Sequence, residues 1–154
     1  EKCSFVKDEL KFDHCIDYKA ENLDEELKKA CPNGIDIYFE NVGGAVTRAI
    51  APLLNQGARV PVCGFISQYN AEDMMKVETP FHVLGALDPK PEHRFFVVTE
   101  WMDEWQAATK ELSQLVKDNK IIYRETITKD FVNAPQALRD VLTGKNFGKQ
   151  LIEV

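Results

Sequence analysis

The chain lacks any apolar run that approaches the roughly 20 residues needed to span a membrane as a helix. It also lacks a basic stretch, since its Lys and Arg residues are scattered among a larger number of Asp and Glu residues. The first residues, EKCSFVKDEL, do not follow the pattern of a signal peptide. A net charge of -6 over 154 residues argues against nucleic acid and anionic membranes as partners. We therefore expect a cytoplasmic protein without either kind of partner.

The sequence is also poor in the residue groups that bind metals or attack substrates. Its 4 cysteines are widely spaced, and with 44% hydrophobic residues to form a core we expect reduced thiols. The nearest His and Cys, His14 and Cys15, are adjacent and would point to opposite faces of a strand. Ser67 lacks the G-x-S-x-G turn of a nucleophilic serine. Neither a metal site nor hydrolase chemistry is supported.

What the chain does contain is a strand, helix and strand pattern between Ile35 and Asn70. Residues 35–39 form a short β-rich run, Gly43 and Gly44 interrupt it, and residues 45–55 have helical apolar spacing. A second β-rich run follows at residues 59–63. Such a unit makes its two strands parallel, and ligands of open α/β folds bind at their carboxyl ends. Both Asn41 and the residues after Cys63 are expected at that edge.

The remaining segments extend the same α/β pattern. The apolar spacing predicts strands over residues 12–19, 95–99, 121–127 and 150–154, and amphipathic helices over residues 101–119 and from Asn133 to Gly144. Lys11 stands where a helix would end, so it either adopts a left-handed conformation or the helix ends differently. Residues 71–92 contain three prolines around a short apolar segment and have no clear pattern.

Several of these segments are more specific than their periodicity. FENVGG at residues 39–44, GARVPVCG at 57–64, ISQYN at 66–70 and GKNFGK at 144–149 closely resemble the NADP-dependent alkenal and prostaglandin reductases. These are zinc-independent medium-chain dehydrogenase/reductases. The resemblance covers nearly the whole chain and implies a partial Rossmann-like nucleotide-binding domain, with a mostly parallel sheet flanked by helices and a C-terminal strand-helix-strand.

The resemblance also implies how the chain is organised. No G-x-G-x-x-G loop is present to receive a pyrophosphate. By resemblance, the chain begins after the second strand of the nucleotide domain and therefore lacks its first two strands. Residues 1–119 would be the C-terminal part of the NADP-binding domain, and residues 120–154 would return toward a GroES-like catalytic domain. We expect a fragment of a longer reductase that is inactive by itself and has an unfilled sheet edge. Such an edge should recruit another strand, pair with a second copy or leave the N-terminal segment, residues 1–30, poorly ordered.

The function implied by the resemblance is NADPH-dependent reduction of the activated C=C bond of enones and enals by hydride transfer. NADP(H) would be the cofactor and a small enone or enal the substrate. The alternative is a non-catalytic nucleotide-binding or dimerisation module, and a zinc alcohol dehydrogenase ranks third. The family also forms homodimers, which here would use the strand edge from Phe95 to Thr99.

Individual site residues follow from the same resemblance. Tyr69 would be catalytic and polarise the enone oxygen, whereas its residue type alone indicates a surface tyrosine. Lys2, flanked by Tyr18, would bind the 2′-phosphate, although an exposed lysine is usually only solvated. Asn41 would contact the cofactor or hold an Asx turn, and Asn146 would contact the cofactor or serve as a turn residue. The remaining predicted cofactor contacts are Cys63, Gly64, Phe65, Ile66, Ser67, Gln68, Tyr69, Phe96, Val97 and Val98.

Overall fold

The computed structural model describes residues 1–19 and 21–154, and of Met74 it describes the backbone. Five strands are formed: β1 (Ile35–Ile37), β2 (Leu54–Val62), β3 (Glu92–Phe95), β4 (Glu125–Lys129) and β5 (Lys149–Glu153). The α-helices are α1 (Lys2–Ser4), α2 (Leu23–Ala30), α3 (Ala45–Ile50), α4 (Pro80–Gly85), α5 (Trp105–Lys117) and α6 (Ala134–Leu142). None of the described helices is both long enough and apolar enough to cross a membrane.

The chain divides into two compact units. The central unit is His14–Met102, and the terminal unit combines Glu1–Asp13 with Asp103–Val154. These limits do not coincide with the boundary after Asn119 that the resemblance implies, and that domain boundary stays a prediction.

The central unit contains a parallel sheet in the order β1-β2-β3. Alternate residues of β2 point to a covered face, where Val60 and Val62 pack against Leu84 of α4 in a buried cluster. Tyr38, Leu54, Phe81 and Leu87 are packed against this cluster. Because β1, α3 and β2 follow one another with both strands parallel, the predicted strand-helix-strand unit is present.

The terminal unit contains the parallel pair β4-β5, which α6 connects. Residues of the amino-terminal segment pack against this pair. The Arg124 guanidinium lies 4.6 Å from the Phe5 ring centroid and 5.3 Å from that of Phe147. One of its nitrogens also donates to both carboxylate oxygens of Glu9, at 2.7 and 2.9 Å. Stacking and ion pairing thus hold the segment that precedes Asp13 to the carboxyl-terminal strands.

Lys11 adopts the left-handed conformation that was one of its two predicted alternatives, with φ at 61°. It follows α1 and a π-helical stretch over Phe5–Glu9. The prediction of a strand over residues 12–19 is wrong, because the described residues in this range do not form a strand. A strand needs a neighbour to satisfy its backbone groups, and no described strand pairs with this segment.

Other elements also differ from prediction. The strand expected at residues 95–99 instead covers Glu92–Phe95, because its register is set by pairing with Arg59 to Val62 of β2. The strand expected at residues 121–127 is β4, which begins only at Glu125 where β5 provides a partner. The helix α4 was not predicted; it starts after Thr79, whose side chain forms a capping box with His82.

Candidate functional site

Two loops meet at the carboxyl ends of β1 and β2. Residues 40–44 follow β1 and lead into α3, and residues 63–70 follow β2. We call them the Asn41 loop and the Tyr69 loop. The sheet pairing extends to the start of the Asn41 loop, since Glu40 forms an isolated parallel bridge with Val62 of β2. The strand ends thus place the two loops side by side, as the sequence predicts for parallel strands.

Backbone hydrogen bonds join the two loops along their length. The carbonyl oxygen of Glu40 accepts from the Cys63 and Gly64 amides, at 2.8 and 3.2 Å. Farther along, the carbonyl of Val42 accepts from the Ser67 amide at 3.0 Å and from the Ser67 hydroxyl at 2.6 Å. The Ile66 amide donates to the carbonyl of Asn41 at 3.0 Å. Because most of these bonds involve main-chain atoms on both sides, the loop geometry depends little on side-chain rotamers.

The side chain of Glu40 fixes the Asn41 loop from the inside. The residue is fully buried, and its Oε1 accepts from the amides of Val42 at 2.6 Å and Gly43 at 2.9 Å. Its Oε2 accepts from the buried hydroxyl of Thr47 on α3. A buried carboxylate needs such donors to offset its desolvation. Glu40 therefore connects the strand end, the glycine turn and the following helix.

Tyr38 lies two residues earlier on the covered side of the sheet, where it packs against the buried cluster. Burial raises the pKa of its phenol far above the ordinary value of a tyrosine, and the nearby Glu40 carboxylate raises it further. Tyr38 is therefore neutral at physiological pH.

Tyr69 follows a 3₁₀ turn over Ile66–Gln68 and folds back over its own loop. Its hydroxyl oxygen accepts a hydrogen bond from the Phe65 amide at 3.2 Å. The rings of Phe65 and Tyr69 pack edge to face with centroids 5.5 Å apart. Half of the tyrosine is exposed, at 52%. Because a phenol that accepts one hydrogen bond keeps its own proton to donate, Tyr69 can act as a donor at this surface.

Gln68 links the Tyr69 loop to the less regular segment that follows. Its amide nitrogen donates to the carbonyl oxygen of Glu78 at 2.7 Å. The Glu78 carboxylate accepts in turn from Arg48 of α3, also at 2.7 Å. The segment between Tyr69 and Glu78 is therefore attached at its far end to both the Tyr69 loop and α3.

The structure brings together the predicted residues of the central unit that follow β1 and β2. Asn41 is exposed at the turn, and Cys63 is exposed at the end of β2. Phe96 lies just past β3, between the rings of Phe39 and Trp101 at centroid distances of 5.7 and 5.6 Å. Val97 and Val98 follow it and are exposed.

The remaining predicted cofactor contacts, Lys2, Tyr18 and Asn146, lie outside the two loops in the sequence. Lys2 and Asn146 belong to the terminal unit. There Lys2 donates from Nζ to the carbonyl oxygen of Gly144 at 2.6 Å. Asn146 donates from its side-chain amide to the Gly148 carbonyl at 2.8 Å, within the same loop. Tyr18 belongs to the central unit and is exposed, with Lys19 Nζ 5.8 Å from its ring centroid.

Glu40 and Thr47 were missed as residues that build this site. The signal was present in the sequence, because an acid directly before an Asn-Val-Gly-Gly turn can accept the amides of that turn. Thr47, in the first helical turn after the glycines, is the matching donor.

With this geometry in place, comparison with known proteins identifies the family. A family model described as zinc-binding dehydrogenase matches residues 10–152. The chain belongs to this family. Although the family's name refers to zinc, no group of three or more His, Cys, Asp or Glu residues suited to a metal ion occurs within residues 1–19 and 21–154.

Individual relatives are similar over the whole chain. It is 45% identical, over 100% of its length, to the NADPH-dependent curcumin reductase of Escherichia coli and covers 46% of that protein. It is 38% identical to prostaglandin reductase 1 of Sus scrofa, covering 92% of this chain and 43% of that one. The chain thus spans about half the length of the curated relatives it matches.

A solved structure shows the same fold. The crystal structure of CurA in complex with NADPH from Vibrio vulnificus has a TM-score of 0.88 and 44% sequence identity, over 99% of this chain and 46% of that one. The predicted α/β class, with parallel sheets flanked by helices, is therefore confirmed. The predicted resemblance to medium-chain reductases is confirmed as well.

Proposed function

We propose that the whole protein is an NADPH-dependent reductase of the activated C=C bonds of enones and enals, and that this chain supplies part of its cofactor site. The observation that carries the proposal is the pair of hydrogen-bonded loops at the carboxyl ends of parallel strands, with the Tyr69 hydroxyl at their surface. Similarity to curcumin and prostaglandin reductases supports this choice of chemistry.

The residues at this end of the sheet suit the nicotinamide half of NADPH. A flat ring with a polar amide edge needs apolar contact together with a few polar groups of fixed position. Ile66, 45% exposed, offers apolar surface, and the exposed Asn41 offers an amide on a loop that Glu40 holds. As the resemblance implies, Lys2 is proposed to bind the 2′-phosphate, and Tyr18 and Asn146 are proposed as further cofactor contacts.

When bound, NADPH supplies the hydride that the β-carbon of the enone receives. The protein's part is to stabilise the charge that this transfer moves onto the carbonyl oxygen. Tyr69 donates its phenolic proton in a hydrogen bond to that oxygen, and its contact with the Phe65 amide orients the phenol for this role. The α-carbon then takes a proton from solvent, which restores the carbonyl.

The first experiment is a fluorescence titration of this chain with NADPH and with NADH. We expect tighter binding of NADPH, and we expect Lys2→Ala to weaken NADPH binding by about tenfold while leaving NADH unchanged, because a charge-assisted hydrogen bond to the phosphate is lost. Lys7→Ala, on the π-helical stretch that follows α1, is the matched control and should leave both affinities unchanged. Equal losses for the two cofactors would contradict the role of Lys2.

The alternative function, a nucleotide-binding or dimerisation module without catalysis, gives a different result. In that case NADPH binds, but the whole protein does not oxidise it when an enone or enal is added. A cytoplasmic location belongs to the same proposal, and cell fractionation checks it.

Self-association is a second part of this proposal. β3 is one of the two end strands in the order β1-β2-β3, and an end strand leaves backbone groups available for pairing. Phe95 at its end is 48% exposed. We expect the protein to sediment as a dimer and Phe95→Lys to shift it to monomer, while Phe131→Lys, an exposed site in the terminal unit, leaves the dimer intact. A monomeric unmodified protein would contradict this interface.

A further inference from the structure

Gly64 occupies a position where the backbone itself does not require glycine. Its φ lies outside the left-handed region, unlike Gly43 and Gly44 in the Asn41 loop. A Cβ on Gly64 would nevertheless lie 2.5 Å from the hydroxyl oxygen of Tyr69. The next neighbours are at ordinary distances, 3.7 Å for the ring carbon that bears the hydroxyl and 3.9 Å for the Asn41 carbonyl oxygen. The phenolic oxygen alone therefore conflicts with a side chain at residue 64.

The conflict between a Cβ at residue 64 and the Tyr69 hydroxyl can be relieved only by movement of whichever group is free to move. The backbone of Gly64 is fixed, because its amide bonds to the Glu40 carbonyl at 3.2 Å. Tyr69 is 52% exposed, and the conflicting atom is the far end of its side chain. An alanine at residue 64 would thus leave the loop in place and turn the phenol away from the Phe65 amide.

We propose that Gly64 is a positioning residue for the Tyr69 hydroxyl: the missing side chain leaves the space in which the phenol oxygen sits against the Phe65 amide. The catalytic consequence rests on the proposed function, since it requires Tyr69 to donate to the substrate oxygen. The positioning of the Tyr69 hydroxyl by Gly64 does not depend on the proposed function. It is a property of this loop in the chain as it stands.

The positioning is tested by amide hydrogen exchange on the 154-residue chain. We expect Gly64→Ala to speed exchange at the Phe65 amide by about threefold to tenfold, because its hydrogen bond to the phenol is lost. Tyr69→Phe should give the same increase, and adding Gly64→Ala to the Tyr69→Phe variant should change nothing further. Gly85→Ala at the end of α4 is the matched control, because its Cβ would meet only Lys90 Nζ at 4.0 Å.

The catalytic consequence is tested in the whole protein with NADPH and an enone. We expect Gly64→Ala and Tyr69→Phe each to lower kcat by about a hundredfold, with little change in KM for NADPH, since both remove one donor from the developing oxyanion. In the Tyr69→Phe background, Gly64→Ala should lower kcat by less than about twofold, because the ring carbon alone is at contact distance.

The outcomes separate the two proposals. Unchanged Phe65 exchange in Gly64→Ala would overturn the positioning role, and so would an equal loss of kcat from Gly64→Ala in both backgrounds. If Phe65 exchange rises as expected but Tyr69→Phe keeps full kcat, the positioning role stands and the catalytic role of Tyr69 fails.

Discussion

Replacing Glu40 by alanine is expected to lower the free energy of unfolding by about 3 to 5 kcal/mol. The carboxylate is fully buried and accepts from two main-chain amides and the Thr47 hydroxyl. Alanine leaves these donors without an acceptor in a site that water does not reach, and each such loss typically costs about 1 to 3 kcal/mol. Urea unfolding followed by circular dichroism measures the change.

Glu40→Gln tests the same network with its shape preserved. The amide oxygen can still accept from the Val42 and Gly43 amides, while its nitrogen faces the Thr47 hydroxyl, which can accept. We expect a smaller loss, about 1 to 2 kcal/mol. Glu92→Ala, an exposed acid on β3 in the same unit, should change stability by less than about 0.5 kcal/mol. If Glu40→Ala costs no more than Glu92→Ala, the carboxylate does not support the loop as described.

The parts of the fold that the sequence predicted are those specified by neighbouring residues. The Asn41 loop could be placed because a β-rich run, a glycine pair and a helical spacing follow each other within a short stretch, and each constrains the next. The structure has β1, α3 and β2 in that order, with β1 and β2 parallel. Because parallel strands end at one edge, the approximate position of Tyr69 could be predicted along with them.

The errors concern pairing between distant segments. Residues 95–99 have a stronger β pattern than residues 92–95, yet the strand forms at Glu92–Phe95 because Arg59 to Val62 are the partners available in β2. Beyond Phe95 the Glu100 carboxylate accepts from the Val97 amide, and the chain turns into a 3₁₀ segment. Local propensity cannot determine such a register, because it depends on where a partner strand ends.

The candidate site likewise contains features that the sequence pattern predicts and features that only the three-dimensional structure reveals. The strand pattern placed Asn41 and the residues around Tyr69 at this edge of the sheet, whereas the functions predicted for them come from the resemblance alone. The sequence did not indicate the space at Gly64, because the approach of the Tyr69 hydroxyl to residue 64 depends on how the Tyr69 loop folds back on itself. The partners of Glu40 follow it closely in sequence, but a carboxylate that accepts the amides of a turn can be identified only once the conformation of that turn is known. A glycine that leaves room for a phenol can be recognised only once the fold of its own loop is known.

Gly148→Ala is expected to destabilise the terminal unit by about 3 to 5 kcal/mol. The residue has φ at 72°, where an L side chain is strained, and its Cβ would overlap the carbonyl oxygen of Arg124 and lie 2.5 Å from the carbonyl carbon. That oxygen accepts from the Lys149 amide at 2.8 Å, immediately before the ladder between β4 and β5. The backbone at Arg124 cannot move aside as the end of a flexible side chain can. Relief of the overlap must therefore disturb the pairing between β4 and β5.

Gly144→Ala is the matched control, because Gly144 has the same φ of 72° with nothing within 4 Å of a Cβ. It should cost only the conformational strain, about 1 to 2 kcal/mol. The difference between the two variants in urea unfolding therefore isolates the overlap with Arg124. Exchange at the Lys149 amide should rise in Gly148→Ala and remain unchanged in Gly144→Ala. Equal losses of stability would mean that the approach of Gly148 to Arg124 does not constrain residue 148, and that strain at φ alone accounts for its glycine.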